Sequence, residues 1–385
     1  MGSRTHRAEV GESLIPTFSY LNDIYFDFGV SELLPEVIAG SGITRPLLVT
    51  DNGLSNLGIA TRLGLNELPV YDGVMTNPTE GQVLEGLTIY TQRNCDGIVA
   101  VGGGSSIDLA KCLAILVNHP EPLEQYAILR GGLNRINRDV PPIVAVPTTA
   151  GSGSEVGRAA LATVNSGDKL GFLSPKLLPA AAVCDPALTV SMSALLTAGT
   201  GMDAISHCVE TYCSTRYNPV ADAIALDGLS RGCRSIESAV ADGSNTDARK
   251  EMMLCSLQGG LAFQKSLGAV HSLSHPLGGL VEKLLHHGTL NGLFLPIVLR
   301  FNQDYCRDRM DRMARCLGLG EGEALPGYFE DLQATLGLPV SLGEMGVSWK
   351  DLEPLVEKAV SDHCSTTNPR PLSSQSISEL YHEAL

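Results

Sequence analysis

Residues 98–108 read IVAVGGGSSID, and this stretch decides the fold class. Four apolar residues suited to a buried strand run without interruption into Gly102-Gly103-Gly104. Ser105-Ser106-Ile107-Asp108 then opens a helical run over residues 107–117. Glycines let the backbone approach a ligand closely and adopt positive φ. Serines at a helix start can cap it, and the free N–H groups there favour a pyrophosphate. The position is that of a dinucleotide loop, but the spacing is not G-x-G-x-x-G, because Ile107 stands where the third glycine would fall. A plain glycine turn between strand and helix remains open from the loop alone.

Working outward, the same strand-then-helix alternation recurs through the first half. Residues 24–30 are expected to form an edge strand, 46–50 (PLLVT) a strand ending at Asp51, 143–146 (IVAV) a strand ending at Pro147-Thr148-Thr149, and 181–184 a strand ending at Asp185-Pro186. Apolar strands separated by helices predict a parallel sheet covered on both faces, a doubly wound α/β domain. From about residue 189 the pattern changes to apolar residues three and four apart, with helical runs at 194–212, 221–240, 249–263 and 352–360. The expected organisation is an N-terminal α/β dinucleotide-binding domain over residues 1–188 and an all-helical metal- and substrate-binding domain over 189–385. Residues 361–374 are polar and contain proline, and read as a surface connection to a last short helix.

Composition narrows the classes. The chain has 385 residues, 44% hydrophobic and 18% charged, which suits a globular protein with a large core. Its net charge of -15, from 27 basic and 42 acidic residues, disfavours nucleic acid and anionic membranes as partners. The ten cysteines include no C-x-x-C pair, so reduced thiols in a cytoplasmic protein are expected. The N-terminus leads into no apolar signal core, and no run approaches the roughly 18 apolar residues of a membrane span.

A second loop at the same sheet edge, residues 147–155 (PTTAGSGSE), offers hydroxyls and a flexible backbone. Ser152 and Glu155 also fit the Ser-x-x-Glu spacing of a helix cap, and the two roles are compatible. Asp51 can accept from the adenosine ribose hydroxyls and repel a 2′-phosphate, or can form an ordinary Asx turn before Gly53. In the helical half, Asp203 and His207 lie four apart and share a helix face. His271 and His275 repeat that spacing, and His286-His287 precede Gly288. A carboxylate and several imidazoles on facing helices suit Fe²⁺, Zn²⁺ or a similar ion. Spacing alone leaves open which histidines bind and which merely pack.

Taken together, segments 102–108 (GGGSSID), 147–155 (PTTAGSGSE), 197–207 (TAGTGMDAISH), 268–278 (GAVHSLSHPLG) and 287–296 (HGTLNGLFLP) resemble the iron-containing, or group III, alcohol dehydrogenases, in the family's order and at about its spacing. Only about the last 60 residues match weakly. The resemblance implies a dehydroquinate-synthase-like fold, NAD as cofactor and one divalent metal in the cleft, iron before zinc. Carried over residue by residue, the metal ligands fall on Asp203, His207, His271 and His287. His275 falls beside the nicotinamide as the catalytic residue, relaying a proton, or else simply lining the cleft. Dinucleotide contacts fall on Asp51, Gly103, Gly104, Ser105, Thr148, Thr149, Ser152 and Lys169, and Gly102 and Asp108 in the same loop complete the expected cofactor set.

One departure concerns the last ligand. The family's histidine follows the His275 position by ten residues, a step that here ends at Leu285. His287 is preferred because Gly288-Thr289-Leu290-Asn291 keeps the family's pattern, with His286 as the substitute. Ser105-Ser106-Ile107-Asp108 argues against the maleylacetate reductase branch. The implied activity is hydride transfer between NAD(H) and a small alcohol, aldehyde or ketone, or a hydroxy acid, by a homo-oligomer. The alternatives are a hydroxyacid–oxoacid transhydrogenase with tightly held cofactor, a metal-dependent sugar-phosphate cyclase, for which the helical half is poor in lysine near its histidines, and a non-catalytic nucleotide-binding protein. Arg158, just after the second loop, either approaches an acidic substrate or pairs with a surface carboxylate.

Overall fold

The computed structural model describes residues 20 and 22–385, so residues 1–19 and 21 of the expected first domain lie outside the described residues. Six parallel strands form one sheet: β1 (Asp23–Phe26), β2 (Pro46–Asp51), β3 (Val70–Val74), β4 (Gly97–Gly102), β5 (Ile143–Pro147) and β8 (Ala181–Cys184). Their spatial order is β1-β8-β5-β4-β2-β3. The alternation within IVAV explains why the strand reads as one apolar run. Ile98 and Ala100 enter the core on one face of the sheet, and Val99 and Val101 enter the core on the other. Between β5 and β8 the chain makes a separate antiparallel hairpin, β6 (Ala159–Thr163) and β7 (Lys169–Leu173).

Two expectations for this half change. The edge strand is present but stops at Phe26, because Gly29 turns with φ 79° into a 3-10 helix over Val30–Leu33. The hairpin and β3 were not anticipated. The polar turn Asn165-Ser166-Gly167-Asp168 between β6 and β7, with Gly167 at φ 86°, was the available signal.

From β2 the chain passes to β3 on one side, and from β4 it passes to β5 on the other. The sheet therefore has a switch point between β2 and β4, where loops diverge and leave a crevice beyond the strand ends. Asp51 ends β2 and Gly102 ends β4, so both lie at that crevice.

Among the described residues no strand follows Cys184, and the rest of the chain is helical. The central helix, Ala194–Cys213, is buried from Thr197 to its end. It packs against the helices Pro219–Ala241, Thr246–Ala262 and His287–Asn302. Ser193 starts it by accepting from Leu196 N at 3.2 Å. The expected helix at 352–360 is broken into Trp349–Leu352, a 3-10 turn Glu353–Leu355 and Val356–Ser361, because Pro354 cannot donate to the helix ladder. No helix among the described residues is long and apolar enough to cross a membrane.

The central helix and the His287–Asn302 helix meet through glycine. A Cβ on Gly288 would lie 2.2 Å from the Gly199 carbonyl oxygen and 3.0 Å from Asp203 Cβ. The first neighbour is backbone and cannot move aside. Gly288→Ala should therefore cost about 1–3 kcal/mol of stability through overpacking. Gly40→Ala, a helical position with nothing within 4 Å of the added carbon, should be neutral or slightly stabilising. Chemical denaturation of both variants checks this, and equal stability of the two would remove the packing constraint.

Candidate active site

The two loops after β4 and β5 interlock at the crevice. Gly102 has φ 151° and leads into the helix Gly104–Asn118, whose N-cap is Gly103. A Cβ on Gly104 would lie 2.7 Å from Ser152 Oγ, and one on Gly103 would lie 3.2 Å from Thr149 Oγ1. The glycines therefore let the second loop lie directly against the helix N-terminus. Thr148 N donates to Gly102 O at 3.0 Å across the strand ends. The result is a row of backbone N–H groups and hydroxyls at a helix start, with the chemistry of a pyrophosphate cradle. Gly102, Gly103, Gly104, Ser105, Thr148, Thr149 and Ser152 are brought together there.

Other expected cofactor residues have additional work. Asp51 caps the short helix Asn52–Asn56, accepting from Leu54 N at 2.9 Å through one carboxylate oxygen. Asp108 accepts from Ser154 Oγ at 2.6 Å and from Leu161 N at 3.0 Å, so it anchors the second loop and the hairpin. Lys111, fully buried, completes that anchor with bonds to Ser154 O, Gly157 O and Ala159 O at 2.7–2.8 Å. Burial pushes its ammonium down to about 8, against the opposing charge of Asp108. Ser152 and Glu155 do not form the expected cap. Ser152 Oγ accepts from Ser154 N, two residues on, and Glu155 is buried, with its carboxyl raised by that burial to about 7.

Behind the loops lies the imidazole cluster. His207 Nε2, His271 Nε2 and His287 Nε2 each lie 3.8 Å from Asp203 Oδ1. Asp203 and His207 come from one face of the central helix, His271 from the short helix Ala269–Leu277 and His287 from the first turn of its own helix. Asn291 Nδ2 donates to Asp203 Oδ1 at 2.7 Å and lies 3.1 Å from both His271 Nε2 and His287 Nε2, which marks the point of convergence. Burial, reinforced by the neighbouring imidazoles, holds His271 well below its usual pKa, and burial followed by Lys169 does so for His287. Neutral rings are what a cation requires of its ligands. Glu210 accepts from Val270 N and fixes His271 through its Nδ1 at 2.5 Å, which aims Nε2 at Asp203. Three imidazole nitrogens and one carboxylate oxygen, with no thiolate, suit Fe²⁺ or Zn²⁺. His286 is engaged elsewhere. Its Nδ1 accepts from Thr289 N at 3.3 Å as the helix cap.

His275 occupies the next position along. Its Nδ1 lies 3.0 Å from Asp362 Oδ2, and its ring stacks on His287 at 5.5 Å and on His363 at 5.6 Å. Burial raises the Asp362 carboxyl, but His275 and His363 beside it outweigh that and hold it well below the usual range. Asp362 contradicts the reading of residues 361–374 as a surface connection. Asp362, Cys364, Thr367 and Asn368 are all buried, because this segment closes over the histidine helix. Lys169, at the start of β7, links the two halves of the site. It donates to Asn77 Oδ1 at 2.7 Å and fits over Gly278, where a Cβ would lie 2.8 Å from its Nζ. Burial brings its ammonium down to about 8, with Asp108, Asp203 and Asp362 opposing.

The chain is similar to known proteins over most of its length. The sequence family described as "Iron-containing alcohol dehydrogenase" matches residues 22–186, and "Fe-containing alcohol dehydrogenase family, C-terminal" matches 197–385. A 4-hydroxybutyrate dehydrogenase of Cupriavidus necator is 48% identical over 378 residues, 95% of this chain and 99% of its own. An NAD-dependent methanol dehydrogenase of Bacillus methanolicus is 33% identical over 360 residues, 89% of this chain and 93% of its own. The crystal structure of a 1,3-propanediol oxidoreductase superposes with a TM-score of 0.89 at 35% identity, covering 96% of this chain and all of that one.

The two adjacent histidines provide a test of register. His287→Ala should lose bound metal, whereas His286→Ala should keep it and lose only a helix cap, about 1 kcal/mol. Glu210→Gln should keep the ligands and weaken metal affinity about 10–100-fold. Metal analysis of the purified variants checks all three, and a metal-free His286→Ala would overturn the assignment.

Proposed function

The chain belongs to the iron-containing alcohol dehydrogenase family, and on that premise we propose an NAD-linked, metal-dependent dehydrogenase that interconverts a small primary alcohol, including a short hydroxy acid, and its aldehyde. The carrying observation is the convergence of three Nε2 atoms on Asp203 Oδ1, joined through Lys169 to a glycine-lined crevice at the sheet's switch point. Asp203, His207, His271 and His287 would hold the cation. Asp51, Gly102, Gly103, Gly104, Ser105, Asp108, Thr148, Thr149, Ser152 and Lys169 would line or support the dinucleotide site. When bound, the cation supplies Lewis acidity to the substrate oxygen and the nicotinamide supplies or accepts the hydride.

The chain's own groups do the rest. Glu210 keeps the His271 ring oriented, and Asp362 holds His275 Nδ1, which leaves His275 Nε2 as the nitrogen free to take or return a proton. His363 stacks on His275 and is partly open to solvent. The dinucleotide unit is assigned to residues 1–188 and the metal-binding unit to 189–385, in a cytoplasmic homodimer. Iron is proposed as the resident ion before zinc. Metal-stripped protein reconstituted with Fe²⁺ should regain more alcohol:NAD activity than with Zn²⁺, and restoration by neither ion would sink the reading.

Cofactor choice follows from Asp51. No lysine or arginine occurs among Asn52, Gly53, Leu54 and Ser55. Arg45 is paired with Asp96, and Arg62 donates to Ala187 O. A 2′-phosphate would thus meet an uncompensated carboxylate. NAD(H) should be preferred, and Asp51→Gly should shift the preference toward NADP(H) by about tenfold, equivalent to ~1.4 kcal/mol. Asp51→Ser, which keeps a capping oxygen while removing the charge, should shift it similarly. Steady-state kinetics with both cofactors decides, and an unchanged ratio would leave Asp51 as a cap alone.

A further inference from the structure

Arg158 and Arg216 stand on two segments that border the site. Arg158 lies between the second loop and β6, where its carbonyl accepts from Ser174 N at 3.1 Å. The preceding Gly157 packs on Phe263, whose ring a Cβ there would approach to 2.8 Å, and Phe263 packs edge-on against His207 at 5.3 Å. Arg216 follows the central helix, and Thr215 N donates to Thr367 O at 3.0 Å, which pins this turn against the segment carrying Asp362 and His363. The hairpin closes the gap, since a Cβ on Gly171 would lie 3.3 Å from His363 Cε1. The Arg158 segment thus borders His207 through Gly157 and Phe263, and the Arg216 turn is held against the segment whose His363 stacks on His275.

Neither guanidinium forms a hydrogen bond or ion pair among the described residues; Arg158 is half-buried and Arg216 is exposed. Burial and then the like charge of Arg216 hold Arg158 below its usual pKa, and Arg216 acts in the same sense on His363. Asp362, the carboxylate of that wall, is already committed to His275. A half-buried guanidinium that feels a second positive charge and has no counter-ion is unfavourable by itself. In a chain of net charge -15, the two arginines also form a local attraction for an anion.

We infer that Arg158 and Arg216 bind the carboxylate at the end of the substrate remote from its alcohol, and so select ω-hydroxy acids and their semialdehydes over uncharged alcohols. This rests on the dehydrogenase reading above. Planar guanidinium groups match a carboxylate in geometry and charge, and a short acid anchored there would extend toward the cation.

The test compares metal-loaded wild type, R158Q, R216Q and R158K with NAD on 4-hydroxybutyrate and on uncharged 1,4-butanediol. R158Q and R216Q should each lower kcat/KM for the acid about 10- to 100-fold, mainly through KM. The diol should change by no more than about twofold, and the KM for NAD should hold. R158K should fall between wild type and R158Q on the acid. Calorimetry with unreactive butyrate should show the same weakening in both glutamine variants. Equal losses on acid and diol, no loss on the acid, or a raised KM for NAD would each overturn the carboxylate site. Wild type that oxidises neither substrate would instead overturn the dehydrogenase reading, and butyrate binding would still judge the arginines.

Discussion

The site depends on how closely two helices approach. At Gly199 and Gly288 the central helix and the His287–Asn302 helix touch with backbone against backbone, which no side chain would allow. That contact carries His287 and Asn291 to Asp203, which projects from the next turn of the central helix. Glu210, two turns beyond Asp203, receives the backbone of the Ala269–Leu277 helix through Val270 N and its imidazole through His271. The donor cluster is thus assembled along a single buried helix face, at positions 199, 203, 207 and 210. Interiors packed at crystal-like density hold such a face rigid, and a metal site needs that rigidity for its ligands to converge.

The nucleotide side uses a different device. Its loops are irregular backbone at a sheet edge, and buried polar groups in such loops need partners. Lys111 satisfies the carbonyls of Ser154 in the second loop, Gly157 just after it and Ala159 at the start of β6, and Asp108 holds the Ser154 hydroxyl and the Leu161 amide. Both project from the helix that the glycine loop begins. The helix that presents its N-terminus to the crevice therefore also fixes the loop opposite. Asp108, expected as a cofactor contact, acts here through the protein.

What the sequence disclosed follows from range. The strands IVAV, PLLVT and their partners were legible because burial on both faces leaves a continuous apolar run, and the i, i+4 pairs were legible because helical periodicity is local. Glu210 extends the Asp203–His207 spacing by three residues, so the same face argument could have found it. Asp362 could not be found that way. It lies 87 residues from His275, in a polar segment with the composition of a surface loop, and only the packing of that segment over the histidine helix buries it. The choice between His286 and His287 rested on counting from Gly288. In the structure one caps the helix that the other begins.

Lys169 has one further consequence. A single ammonium stands within the field of Asp203 and Asp362 on the metal side and Asp108 on the nucleotide side, and it depresses the proton affinity of His287. Whatever enters one half alters the potential felt in the other. Thermodynamic linkage then makes the effect mutual: the factor by which a bound cation changes affinity for the dinucleotide equals the factor by which the dinucleotide changes affinity for the cation.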